Sequence, residues 1–251
     1  MISLDDLDTG QFKAMIIQDP TNKQEISGFV YIATAWGTQL RPPDNLKRAV
    51  INLVEAVNRY TNINAKVDTH LFLDSRKIFE TPFVYIVIDQ SFEITEIEKK
   101  NFGDYLRSGG FAVLDNGTPE QEYGQAEAAL RKILRDSLGA DAKFLPIPND
   151  HPLYHSFFDF DDGPPQGSEV ALNYIQASAR TRPTPAVHYL EGIWLNERLV
   201  AIYSDKGYAI KWKDLSNNEP QLKMGVNMVV FALTQEGSIA QQRMDFFSTA
   251  Q

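Results

Sequence analysis

Charged and polar side chains that close short apolar runs are the first places in this chain where chemistry could sit. Asp89-Gln90 follows Phe83-Val84-Tyr85-Ile86-Val87-Ile88, and Asp115-Asn116 follows Phe111-Ala112-Val113-Leu114. Asn149-Asp150-His151 follows Lys143-Phe144-Leu145-Pro146-Ile147, and Trp36 comes just after Gly28–Ala33. Lys206 follows the run Leu199–Tyr203 and reads as a charged anchor for a ligand or as an exposed turn lysine. In an open parallel α/β sheet the ligand crevice lies beyond the carboxyl ends of the strands. If these runs are such strands, Asp89, Asp115 and His151 share one rim, where two carboxylates and an imidazole bind a divalent cation or act as acid and base. The plainer reading is that Asp89, Asp115 and Asp150 cap the turn or helix that follows.

Other routes to catalysis fail on residue type. His151 and His155 stand four apart, but Pro152 and the missing glutamate exclude a zincin-type helix. Asp159, Asp161 and Asp162 lack the glutamate that closes a calcium loop, and prolines follow them. Thr34-Ala35-Trp36-Gly37-Thr38 puts an indole where backbone amides would have to approach phosphate. No Gly-x-Ser-x-Gly elbow occurs, and the chain has no cysteine, so thiolate catalysis, disulfides and cysteine-held metals are excluded.

The elements that must position these residues alternate in period. Leu46, Ala49, Val50, Leu53, Val57 and Tyr60 recur at helical spacing, with Lys47, Arg48, Glu55 and Arg59 largely opposite. Ala65-Lys66-Val67 reads as a short strand. Thr95 and Glu98 fit a capping box for a helix that Gly109-Gly110 stops. Thr118, Pro119 and Gln121 read as the start of the next helix, with Ala126, Ala129, Leu130, Ile133 and Leu134 as its stripe. The Lys143–Ile147 run is expected as a fifth strand. From Pro148 to about Pro185 the chain reads as long loops carrying Tyr154, Phe157, Phe158 and Phe160, aromatics that either fill the core or mark an interface. Tyr189–Trp194, Asn196-Glu197 and Leu199–Tyr203 read as a hairpin, and Met224–Leu233 as a last apolar helix. Alternating strands and helices predict an α/β fold with a mostly parallel sheet. Residues 1–27 are expected as an N-terminal extension, 28–236 as one domain with its loop-rich insert at about 148–185, and 237–251 as a tail.

The 251 residues suit one globular domain. Lys and Arg number 24 against 33 Asp and Glu, a net charge of -9, which argues against nucleic acid because that binding is driven by cation release. No apolar stretch approaches the roughly 20 residues of a membrane span, and the acidic start is unlike a secretory leader. The expected chain is soluble, cytoplasmic as read or periplasmic if a leader has been removed.

Several segments together resemble a known family. Gly28-Phe29-Val30-Tyr31, Pro82-Phe83-Val84-Tyr85-Ile86, Leu106-Arg107-Ser108-Gly109-Gly110-Phe111-Ala112-Val113-Leu114-Asp115, Asp150-His151-Pro152-Leu153-Tyr154-His155 and Leu190-Glu191-Gly192-Ile193 resemble the bacterial domain-of-unknown-function family 4159, over about Gly28 to Leu233. The resemblance implies a class I glutamine amidotransferase-like fold, a flavodoxin-like three-layer sandwich, here with an added C-terminal hairpin and helix. The Gly-Gly-Phe strand and His-Pro motif are also similar to those of ThuA-like proteins. Glutamine amidotransferases deliver a cysteine nucleophile from the strand matching Phe111–Leu114, whereas this chain has Asp115 there. The resemblance therefore implies a pseudoenzyme, a non-catalytic module of protein assembly that self-associates through the Pro148–Pro185 loops, with no cofactor. Gene neighbourhood in the family adds a MoxR-type ATPase or a von Willebrand A-type protein as partner. The competing expectation is an enzyme or a receptor for a carbohydrate or carboxylated metabolite, built on Asp89, Asp115 and His151, with or without a divalent metal.

Overall fold

Phe83–Ile88 is six apolar residues with every one buried, the mark of a strand with neighbours on both edges and helices on both faces. It is β5 of the sheet in the computed structural model, which describes residues 8–39, 42–43, 46–119, 124–169 and 188–249. The strands are β1 (Ala14–Asp19), β2 (Asn22–Trp36), β3 (Asn62–Val67), β4 (Leu71–Phe72), β5, β6 (Phe111–Asn116), β7 (Leu145–Pro146), β8 (Glu191–Leu195) and β9 (Arg198–Ser204). The described α-helices are α1 (Leu46–Tyr60), α2 (Glu96–Arg107), α3 (Gln125–Leu138), α4 (Tyr208–Trp212), α5 (Glu219–Thr234) and α6 (Ile239–Thr249). The nine-stranded sheet runs β1-β2-β5-β6-β9-β8-β7, with β3 and β4 also on β2. β2 pairs parallel with β3, β4 and β5, and β5, β6 and β9 continue the parallel set. β1, β7 and β8 pair antiparallel. This is a mixed α/β fold with a mostly parallel sheet.

The strand starting at Gly28 is twice as long as its apolar core, because residues 14–27 form β1 and the first half of β2 and fold back along it. Gly28 makes that pairing possible. Its φ is +134, and a β-carbon there would stand 2.1 Å from the Met15 carbonyl oxygen. α1 buries Leu46, Ala49, Val50, Leu53 and Val57, as its spacing requires. α2 has both bonds of the capping box, from Thr95 and Glu98, and the chain after it turns through Gly109 at φ +115.

Three expectations give way. The third helix starts at Gln125 after Gly124, so Thr118 and Pro119 do not cap it, and Gln121 lies outside the described residues. The fifth strand shrinks to Leu145–Pro146 and runs antiparallel to β8: Pro146 offers no N–H to a ladder, which restricts the run to an edge. The aromatics of the expected interface turn inward. Tyr154 and Phe157 are buried, and Phe158 packs edge-on against Tyr60, so in the described part of the insert they extend the core; 170–185 lie outside the described residues. The hairpin forms as expected, with Asn196 and Glu197 both at positive φ, the twist a two-residue turn needs. The segment after Gly237 is helical as α6. Among the described residues no helix is long and apolar enough to cross a membrane.

Candidate functional site

At the carboxyl ends of β5, β6 and β9 the sheet places a buried polar cluster around Asp115. Asp115 is fully buried, and its Oδ2 accepts bonds from the Tyr85 hydroxyl at 2.8 Å and the Ala209 N–H at 2.9 Å. The parallel register sets this up: Asp115 stands beside Ser204 and next to Val87 in its neighbours. After Ser204 the chain turns at Gly207, φ +61, so that the first turn of α4 aims its amides back at the carboxylate. Burial pushes the Asp115 carboxyl up to about 6, against the pull of Ser204, Ala209 and Tyr85. Burial and the adjacent Asp115 hold the Tyr85 phenol well above its ordinary value, and its ring lies 4.9 Å from that of Trp212.

Asn116 ties the next layer. Its side-chain oxygen accepts from Thr118 N–H at 2.9 Å, and its amide donates to Asp205 at 2.6 Å; the Tyr203 hydroxyl donates to the same Asp205 oxygen at 3.0 Å. Burial raises the Asp205 carboxyl as well. Lys206 is 1% exposed and meets Glu169, 4% exposed, at 3.0 Å. The segment Gly167–Glu169 lies over this point, with Ser168 N–H bonded to the Lys206 carbonyl at 2.9 Å and no room for a side chain at Gly167. Lys206 is thus a buried ion-pair partner and not an exposed turn lysine. Asp115, Asn116 and Lys206 do come together, roofed by the chain's own residues.

Beside it, where β2 and β5 end, Trp36 packs its ring 4.2 Å from His70, and His70 Nδ1 bonds Thr34 Oγ1. Burial and Lys47 hold His70 below its ordinary value. Glu98, fully buried, accepts from Thr38 N–H at 2.5 Å and Thr95 N–H at 2.7 Å, and so pins the loop after β2 to the start of α2. Asp89 and Gln90 are exposed on this rim.

His151 and Asp150 are elsewhere. Because β7 is an antiparallel edge, the residues after it do not reach the parallel rim. His151 lines a cavity of about 810 Å³ with Arg107, Arg198 and Phe231, by the β8–β9 turn and the end of α2. That is the start of β9, whereas Asp115 stands level with its last residue, Ser204. The set Asp89, Asp115 and His151 therefore does not share a cleft, and among the described residues no group of three His, Asp or Glu is placed to hold a metal ion. His151 Nδ1 accepts from Leu153 N–H at 3.1 Å, its ring packs on Phe231 and Trp194, and burial holds it below its ordinary value. Asp150 is exposed. Tyr85, His70, Asp205 and Glu169 join these sites without having been singled out. Tyr85 was hidden inside an apolar run, and Glu169 follows the loop Gly163-Pro164-Pro165 with no local pattern to mark it.

Residues 29–233 match the family described as Domain of unknown function (DUF4159). No curated protein matches the chain.

Proposed function

The chain belongs to the DUF4159 family, and from that premise we propose that it is a non-catalytic α/β module that works by binding within a protein assembly, with self-association as its first form. The observation that carries this reading is the state of Asp115. It stands at the strand end where the resemblance puts a nucleophile, yet it is fully buried, its Oδ2 receives a phenol and a backbone amide, and Gly167–Glu169 folds over the neighbouring Lys206. A substrate would have to displace the chain itself to touch it.

The finer fold assignment belongs to the same proposal. With the two-residue β4, which also pairs parallel with β2, left aside, the parallel strands β3-β2-β5-β6-β9 stand in the order 2-1-3-4-5, the flavodoxin arrangement. α1 packs with α4 and α5, while α2 packs with α3, in keeping with helices on two faces of a three-layer sandwich of the class I glutamine amidotransferase-like kind. Exposed Val67 and Phe72 on the β3 and β4 edge and Ile97 on α2 offer apolar contact to a partner.

Sedimentation velocity over about a hundredfold range of concentration tests the reading. The expected result is a species heavier than one chain, unchanged in the Asp115→Asn variant. A strict monomer throughout that purifies with no partner would refute it.

A further inference from the structure

A groove by α6, at the amino ends of β5 and β6, takes no part in the reading above. Phe12 ahead of β1, Phe79 ahead of β5, and Ile239, Arg243 and Phe246 of α6 line a cavity there of about 440 Å³. Backbone contacts fix its shape. Ile239 N–H donates to the Gly109 carbonyl at 3.1 Å, and Gln242 Nε2 donates to the Ser108 carbonyl at 3.1 Å and the Gly237 carbonyl at 2.9 Å. A β-carbon at Gly109 would stand 2.7 Å from Gln242 Nε2, so the glycine lets α6 come this close.

Arg243 brings a cation to this wall. Among the described residues its guanidinium makes no hydrogen bond and no ion pair. Nη1 is buried without a partner, whereas Nε and Nη2, equally unbonded, are not buried, so this edge of the guanidinium is the one open to a ligand. Nε–H and Nη2–H point the same way, and such a fork matches the two oxygens of a carboxylate. Burial disfavours the charged guanidinium, and Glu80, an exposed residue that forms no ion pair with it, restores only part of the loss. The other polar side chains of the groove are committed. Both amide hydrogens of Gln242 are used as above, and Ser108 Oγ donates to the Tyr105 carbonyl at 3.0 Å. Phe246 leaves 68% of its surface exposed, apolar area that a ligand would take out of water. The volume lies within the range of small-ligand pockets, roughly 300–1,000 Å³.

We infer that this groove binds a small monocarboxylate with an apolar body, its two oxygens accepting from Arg243 Nε and Nη2 and its body lying against Phe12, Phe79 and Phe246. A neutral alcohol leaves the guanidinium without a counter-charge. Inorganic phosphate gains one cation, finds no further free donor and covers no apolar wall. The site shares no residue with the Asp115 cluster, which stands at the opposite ends of β5 and β6.

The test is a titration of the full-length, isotope-labelled chain with octanoate, followed by nuclear magnetic resonance, with 1-octanol and inorganic phosphate as comparison probes. Octanoate is expected to shift the Arg243 Nε–H and Ile239 methyl signals saturably, and to bind more tightly than either comparison probe. Arg243→Met is expected to weaken octanoate roughly tenfold or more, the loss of a charge-assisted pair, and to leave 1-octanol unchanged. Thermal stability is not expected to fall, since the substitution removes a buried nitrogen that has no partner. No saturable shift at those two residues in the wild type overturns the inference, and that is also the result if a second copy covers the groove. Equal binding of 1-octanol or of phosphate overturns it too, as does an unchanged octanoate affinity in Arg243→Met. Molecular mass does not enter, so failure here is distinct from failure of the assembly reading.

Discussion

Replacing Asp115 by asparagine separates a buried carboxylate that the fold merely tolerates from one that it needs charged. The side chain keeps its shape, and an amide oxygen in the place of Oδ2 accepts the same Tyr85 hydroxyl and Ala209 N–H. What is lost is the titration. Burial raises the carboxyl from its ordinary 3.8 to about 6, so the folded chain holds this proton more tightly than the unfolded one. Stability from this group is full below the unfolded value, falls as pH rises through the interval up to the folded value, and stays reduced above it. That shift corresponds to roughly 3 kcal/mol, of which about 1.4 kcal/mol develops between about pH 5 and pH 8. The asparagine variant has no such dependence. Urea unfolding of both proteins at those two pH values should show the variant gaining on the wild type by about that amount as pH rises. A difference that does not move with pH, or that moves toward the wild type, refutes the argument, because it would mean that the fold stabilises the ionised form.

Three further substitutions probe the scaffold. Lys206→Met leaves Glu169 buried without its cation and should cost about 3–5 kcal/mol in urea unfolding, much of it recovered when Glu169→Leu is added; a single-variant cost below about 1 kcal/mol would show that the pair is not held together in solution. Asn58 donates to the Ala65 carbonyl at 2.9 Å and accepts its N–H at 2.7 Å, which occupies backbone groups of a strand that pairs through β2, so Asn58→Ala should destabilise by about 1–2 kcal/mol and raise light scattering as the edge becomes available to other chains. Gly28→Ala should unfold well below the wild type in a thermal melt, because the left-handed φ and the Met15 carbonyl both exclude a β-carbon; an unchanged melt would contradict the β1–β2 pairing.

Local patterns foretold the parts of the molecule that are governed by neighbours in sequence. Phe83–Ile88 is uniformly apolar because both faces are covered, α1 carries one apolar stripe, and Thr95 with Glu98 satisfies the amides that any helix start leaves open. The same logic placed Asp115 and Asn116 at a strand end, and the structure keeps them there. It misplaced His151, because an apolar run containing Pro146 looks like a strand without saying that it runs antiparallel at an edge. It also missed β1, whose pairing depends on Gly28, a contact made by backbone and not by side-chain period.

From the order of its residues alone, this chain fixes an α/β alternation, a helix-to-strand grammar and the absence of thiol chemistry, since these depend on residue type and on periods of a few positions. Which polar groups meet is decided by long-range packing. The strand that carries Asp115 lies beside the one that ends at Ser204, which brings Lys206 to Glu169 across 37 positions. The antiparallel edge sends His151 to the other end of the sheet, beside Arg198 and Gln235. Neither meeting has a local cause, because burial and register are properties of the whole sheet, and no short window of sequence contains them.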